Sequence, residues 1–203
     1  MKSPKRSTKT AAKRKSRAGA QDAVVLLKAD HRKVEGLFKK AEKASGSAKE
    51  KLVAQICNEL IIHTMLEEEI FYPACRSEDV EEDMMDEAQV EHDGAKVLVN
   101  DLMGAGAGSE MYDAKVHVLS EYVKHHVKEE ETARTGVFAE AKRKGVDLDE
   151  IGARLKARKK ELMAQAEDGG LPRPEPKAVG QGANGEGRSH GQAAEQSGRA
   201  FGR

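Results

Sequence analysis

The sequence predicts an all-α protein, an antiparallel up-down four-helix bundle with a short fifth helix and disordered tails. Three observations carry this. Apolar residues recur at steps of three and four in four successive stretches, the spacing that lines one face of a helix. Aromatic residues make up 3% of the 203 residues and tryptophan is absent, so the strong helix formers Ala, Glu, Lys and Leu set the local preference. Each of the four stretches also carries one histidine on its apolar stripe.

The first 20 residues form a basic arm. Residues 1–21 hold eight of the 35 Lys and Arg and no acid, too little apolar surface to order themselves. Asp22 suits a helix N-cap, and Val24, Leu27, His31, Val34, Phe38 and Ala41 mark a first helix that ends at Ser45-Gly46-Ser47. Ser47-Ala48-Lys49-Glu50 has the Ser-x-x-Glu form of a capping box, so a second helix is expected from there to Pro73, with Ile56, Leu60, His63, Glu67 and Ile70 on its seam. Ser77 is expected to open a third helix along Met85, Ala88, His92, Ala95, Val99 and Leu102, closed by the glycines of 104–108. Ser109 is expected to cap a fourth along Val116, Leu119, Val123, His126 and Glu130, with Gly136 weakening its far end.

From Asp147 to about Glu167, Leu148, Ile151, Leu155 and Leu162 share one side while Lys and Arg occupy the other. This fifth helix is expected outside the bundle. Residues 168–203 are rich in Gly, Pro and Gln, the composition of a disordered tail. The domain is therefore expected at 21–167.

The formal net charge of zero hides a segregation. Residues 169–203 hold five basic and three acidic groups, which leaves 22 basic and 32 acidic groups in the body. Two cysteines, Cys57 and Cys75, are too few for a disulfide framework, and a reducing cytoplasm is the expected location. No run of 18 apolar residues exists to cross a membrane.

His63 and Glu67 stand four apart on the second seam, and His126 and Glu130 repeat the arrangement on the fourth. Four apart on a helix is one face, so imidazole and carboxylate point into the core. In an up-down bundle, His31, His63, His92 and His126 lie at similar distances from their shared loops and converge at one level. A lone seam histidine is ordinarily a hydrogen-bonded core residue. Four of them with two carboxylates would make a costly polar core without a cation.

The metal ligands expected are therefore His31, His63, Glu67, His92, His126 and Glu130. Imidazole and carboxylate without thiolate suit iron or manganese, with zinc admissible on ligand type, and two carboxylates among four helices point to a dinuclear centre. His125, paired with Glu129, competes with His126 for the fourth helix, but His126 has the better apolar company. His117 is out of phase and expected at the surface, and His190 lies in the tail. Glu68, Glu69, Glu129 and Glu131 are expected on a solvated or supporting face, and Tyr72 and Tyr122 either line the pocket or pack.

Residues 22 to about 165 resemble a haemerythrin-like (HHE cation-binding) domain, through Asp30-His31, His63-x-x-x-Glu67 followed by Glu-Glu-Ile-Phe-Tyr-Pro, Glu91-His92, and His126-x-x-x-Glu130. The resemblance implies a bundle holding a non-haem di-iron centre, with the glutamates bridging, the histidines terminal, and oxygen or a related small ligand at an open iron position. Two departures stand out. Lys96 occupies the place, four after His92, where oxygen carriers of the family have a second histidine, and Thr132–Val137 precedes Phe138-Ala139 where relatives pass quickly to Phe-Pro.

The function expected is a di-iron protein that binds or reacts with oxygen, peroxide or nitric oxide, or senses or sequesters iron. Catalase-like peroxide handling is its enzymatic form. The alternative is a nucleic-acid-associated interaction protein, in which the basic arm contacts phosphates. The arm has no aromatic residue for base stacking, so such contact would be weak and nonspecific.

Overall fold

The structure, a computed structural model, describes residues 22–179, and all regular structure among them is helical. The basic arm and residues 180–203, with His190, lie outside the described residues. The elements are α1 (Ala23–Ala41), α2 (Gly46–Leu66), a π-helical turn (Glu67–Phe71), α3 (Tyr72–Ser77), α4 (Glu82–Met103), α5 (Tyr112–Glu131), α6 (Val137–Lys144) and α7 (Leu148–Asp168). No helix among them is long and apolar enough to cross a membrane.

The cap expected at Asp22 forms, and Asp147, where the fifth helix was expected to begin, is also a cap. The Val25 amide donates to Asp22 Oδ1 at 2.9 Å and the Glu150 amide to Asp147 at 3.2 Å, each relieving an orphan donor of the first turn. Other boundaries differ from expectation. α2 starts at Gly46, whose φ of +54° favours glycine. The capping box is not made, because Glu50 Oε1 accepts the Ala107 amide at 2.7 Å and ties the start of α2 to the glycine-rich loop. Ser77 closes α3 rather than opening α4, and Ser109 accepts the Gly106 amide at 3.1 Å while Met111 precedes α5.

Pro73 does not end the second helix. An interior proline removes an amide and clashes with the preceding turn, but the π turn just before it shifts the hydrogen bonding by one residue, so that the Tyr72 amide reaches the Glu67 carbonyl. Pro73 then falls in the first turn of α3, where a proline costs little. The fourth helix is likewise split. α5 stops at Glu131 and the chain folds back through Gly136 into α6, so Gly136 makes a turn instead of weakening a continuous helix.

The core has two apolar clusters with a polar layer between them. Along α1, Leu27 belongs to one cluster and Val34, Leu37 and Phe38 to the other, with buried Asp30 and His31 in between. α1 packs on α2, α2 on α4, α4 on α5 and α5 on α1, so their histidine-bearing faces surround one layer. α7 packs on α1, α2 and the π turn, and it buries Ile151, Leu155 and Leu162 in the first cluster. The segment after it, assigned to the tail on composition, continues on the body. Asn100 donates to the Pro174 carbonyl at 2.7 Å, and Asp93 Oδ2 accepts the amides of Lys177, Ala178 and Val179 at 2.8, 2.5 and 3.1 Å.

Candidate metal centre

His31 on α1, His63 on α2, His92 on α4 and His126 on α5 all turn Nε2 into the polar layer. The Nε2 atoms of His31 and His63 are 3.1 Å apart, and those of His92 and His126 are 3.2 Å apart. Glu67, in the π turn, lies among three of them. Its Oε2 is 3.1 Å from His63, 3.3 Å from His92 and 3.9 Å from His126. Glu130 Oε2 is 3.4 Å from His31 and 3.5 Å from His126. The donor atoms of His31, His63, Glu67 and Glu130 form one compact group, and those of Glu67, His92 and His126 form another, with Glu67 common to both.

These residues fit cations. Glu67 is fully buried and Glu130 is 1% exposed, yet Glu67 Oε1 and Glu130 Oε2 have no hydrogen-bond partner among the described residues. A buried carboxylate oxygen without a donor is expensive. The imidazoles near Glu130 stand beyond good hydrogen-bond length, so contact alone does not relieve it. Two imidazole nitrogens facing each other at about 3 Å present the same difficulty, since each seeks a proton or a cation.

Protons take that role in the metal-free chain. Burial would lower the His63 pKa, but the Glu67 carboxylate facing it, together with Asp30 and Glu130, outweighs burial and raises it to about 10. His126 is buried in the same way and is raised well above its ordinary value by Glu130 and Glu67. Burial opposes ionisation of Glu67, but His63 and the donors His126 and His92 hold its pKa well down. Tyr72 donates to Glu130 Oε1 at 3.0 Å. Burial, then the Glu130 and Glu67 charges, push its pKa well up, so it keeps its proton.

Three of the four histidines also turn Nδ1 to a nearby carboxylate. His31 meets Glu131 at 2.8 Å, His92 meets Glu68 at 3.1 Å and His126 meets Glu91 at 2.9 Å. His63 Nδ1 faces Asp30 at 4.0 Å, and Lys159 of α7 pairs with that carboxylate. Such partners orient an imidazole and strengthen its lone pair. Phe138 of α6 stacks on His31 at 5.9 Å, and Tyr72 stacks on His92 at 5.6 Å. The fold-back at Gly136 thus brings a ring over the centre.

A family model for the haemerythrin HHE cation-binding domain matches residues 22–133. The chain belongs to this family. The crystal structure of a haemerythrin HHE cation-binding domain-containing protein from Mycobacterium kansasii is similar in fold, with a TM-score of 0.60 and 20% identity over 74% of this chain and 95% of that one. No curated protein matches. The HHE domain is thus a metal-binding module, and the buried His and Glu groups are where this one concentrates its donors.

The structure brings the six candidate ligands together. His125 stays outside. It is 61% exposed and pairs with Glu91 at 3.2 Å and Glu129 at 3.0 Å. His117 is exposed as expected. Lys96 is buried, but its Nζ goes to Glu68 at 2.6 Å and Asp93 at 3.0 Å, so it supports the partner of His92. The supporting roles of Glu91 and Asp30 were not read from the sequence, whereas Tyr72 is one of the residues expected either to line the pocket or to pack. The one available signal was that Asp30 and Glu91 sit beside motif histidines.

A cavity of about 30 Å³ adjoins the four imidazoles, walled by Val34, Leu60, Ala95, Val123 and Val127. That is room for a water-sized molecule. Half-exposed Tyr122 lies on its outer side across Gly94, where an added Cβ would stand 3.1 Å from the ring.

Proposed function

We propose that the chain is a di-iron protein whose cavity admits a small ligand such as oxygen, peroxide or nitric oxide. The six ligands would be His31, His63, Glu67, His92, His126 and Glu130, with the two glutamates shared between the ions. The observation that carries this is the inward convergence of four Nε2 atoms on two buried carboxylates whose free oxygens lack donors. Imidazole and carboxylate donors in a mixed set suit iron ahead of zinc. Manganese has the same donor preference and is separated from iron by metal analysis.

The reading takes α1, α2, α4 and α5 as an antiparallel up-down bundle. In support, His31 faces His63 while Lys33 faces Glu59, and His92 faces His126 while Asp101 faces Lys115. Residue number rises along one partner as it falls along the other.

The iron would supply electrons and an open coordination position. The residues do the remainder. Glu68, Glu91 and Glu131 orient three of the imidazoles, Asp30 faces the fourth at 4.0 Å, and Tyr72 holds a proton at Glu130 Oε1. The apolar cavity favours a neutral diatomic over bulk water. Because Lys96 pairs with Glu68 and Asp93 and supplies no imidazole, an ion on the His92 side would have one protein ligand fewer, and oxidation is expected over reversible carriage.

The test is to load the chain with ferrous iron without oxygen and mix it with oxygen or peroxide in a stopped-flow spectrometer. The expected result is rapid growth of near-ultraviolet charge-transfer absorption that does not reverse on removing oxygen. Repeated reversible cycling would refute reactivity, and a chain that stays colourless and metal-free would refute the centre.

A further inference from the structure

His126 stands between two cavities of opposite character. The apolar one has been described. On the other side a recess of about 240 Å³ is bounded by Glu87, Glu91, Glu129, Glu130 and His126, and among the described residues that line it there is no lysine or arginine. Four carboxylates outnumber the single imidazole of His126 in this lining, and a recess of net negative charge raises the local concentration of cations and speeds their arrival. A neutral diatomic gains nothing from such walls, whereas a divalent cation does.

The two ends of the recess differ. At its outer end His125 does not line the recess but borders it through two residues that do, its Nε2 lying 3.2 Å from Glu91 Oε1 and 3.0 Å from Glu129 Oε1, and the three donor atoms form a compact group that could hold one ion. His125 is exposed while Glu91 and Glu129 are half-buried, so an ion held there stays open to solvent on the His125 side. At the inner end is Glu130, 1% exposed, with Oε2 buried and without a hydrogen-bond partner. Glu91 joins the ends, since its Oε1 faces His125 while its Oε2 is 2.9 Å from His126 Nδ1.

We infer that this acidic recess is the route by which a hydrated divalent cation reaches the buried centre, with Glu91, His125 and Glu129 as an outer, rapidly exchanging metal site. The inference rests on the reading of the buried side chains as a metal centre, and it adds a separate path for the metal. An ion at the outer site has one imidazole and two carboxylates in place of part of its water shell, and Glu130 offers the next unpaired oxygen inward. Cation and small neutral ligand then approach from opposite sides of His126.

Co2+ is a suitable probe, because it does not change oxidation state on binding here and its visible bands report nitrogen and oxygen ligation. The metal-free full-length chain is mixed with Co2+, and band growth is compared between wild type and a His125→Gln, Glu129→Gln double variant. His125 is exposed and Glu129 half-buried, and equal helical circular dichroism of the two chains checks that both are folded. The expected result is loading slower by about tenfold at low salt, a gap that narrows as salt is raised, and an equal cobalt count per chain after gel filtration, which removes the exchanging outer ion from wild type. Bands that grow at the same rate in both chains overturn the route. A wild type that never develops the bands overturns the buried centre itself. Independently of any variant, substoichiometric Mn2+ should broaden the His125 ring resonances ahead of those of His126, and broadening that starts at His126 also overturns the route.

Discussion

Gly136→Ala sets two effects against each other, and the structure decides between them. Gly136 has φ −77° and ψ 159°, a conformation that alanine adopts freely. Backbone entropy alone would therefore make the substitution stabilising by about 0.4–1 kcal/mol. The added methyl, however, would stand 2.5 Å from the Glu130 carbonyl oxygen, 2.6 Å from that of Glu129 and 2.7 Å from the Thr132 nitrogen. All three are backbone atoms, so relief requires the end of α5 to part from the turn into α6. Overpacking costs about 1–3 kcal/mol, and backbone on three sides puts this case near the upper end. The net is about 2 kcal/mol destabilising, which for a chain of this size lowers the melting temperature by roughly 4–8 °C. Calorimetry of the metal-free chain measures it. The metal-loaded chain should lose more, because the displaced carbonyl belongs to Glu130. An unchanged or raised melting temperature would show that the turn gives way freely and that the steric reasoning is wrong.

His126→Ala should lose most bound metal while His125→Ala keeps it at equilibrium, measured as metal per chain after gel filtration, since only His126 reaches the layer with Glu67 and Glu130. Lys96→Met should destabilise the metal-free chain by about 3 kcal/mol in urea titration, because it strips the cation from buried Asp93 and Glu68; a neutral effect would mean that Lys177 alone suffices for Glu68. The metal-free chain should lose stability as pH rises. His63 is raised from an ordinary value near 6.5 to about 10, so its contribution is fully present below about pH 6.5 and disappears as pH climbs through 10, with His126 acting in the same direction. Metal affinity should climb across the same window, because each ion displaces those protons. Urea midpoints and metal titrations at several pH values check both trends.

The positions of the polar layer were legible because they interrupt an otherwise apolar period of three and four, and periodicity survives whatever the loops do. His31, His63, His92 and His126 needed only that rule to be placed on inward faces. The boundaries were less legible. Ser47-Ala48-Lys49-Glu50 reads as a capping box, but Glu50 finds the Ala107 amide, a partner 57 residues away that no local pattern shows. Pro73 reads as a helix end, yet the π turn that places Glu67 also makes room for it. Gly136 reads as a weak spot in a helix, when the chain reverses there and brings Phe138 over His31. The supporting carboxylates were partly legible. Glu68 and Glu131 were expected on a solvated or supporting face and meet His92 and His31, whereas Glu91 looks like any acid on a solvated helix face, and only long-range packing decides that it meets His126.

The central claim is that two iron ions share Glu67 and Glu130. X-ray absorption at the iron edge, on the full-length chain loaded with iron and counted by metal analysis, tests it most directly. The account predicts two irons per chain, a shell of nitrogen and oxygen neighbours with no sulfur, and an iron–iron scattering path at about 3.5 Å, the separation of bridged pairs. One iron per chain, or two with no iron–iron path, would contradict it.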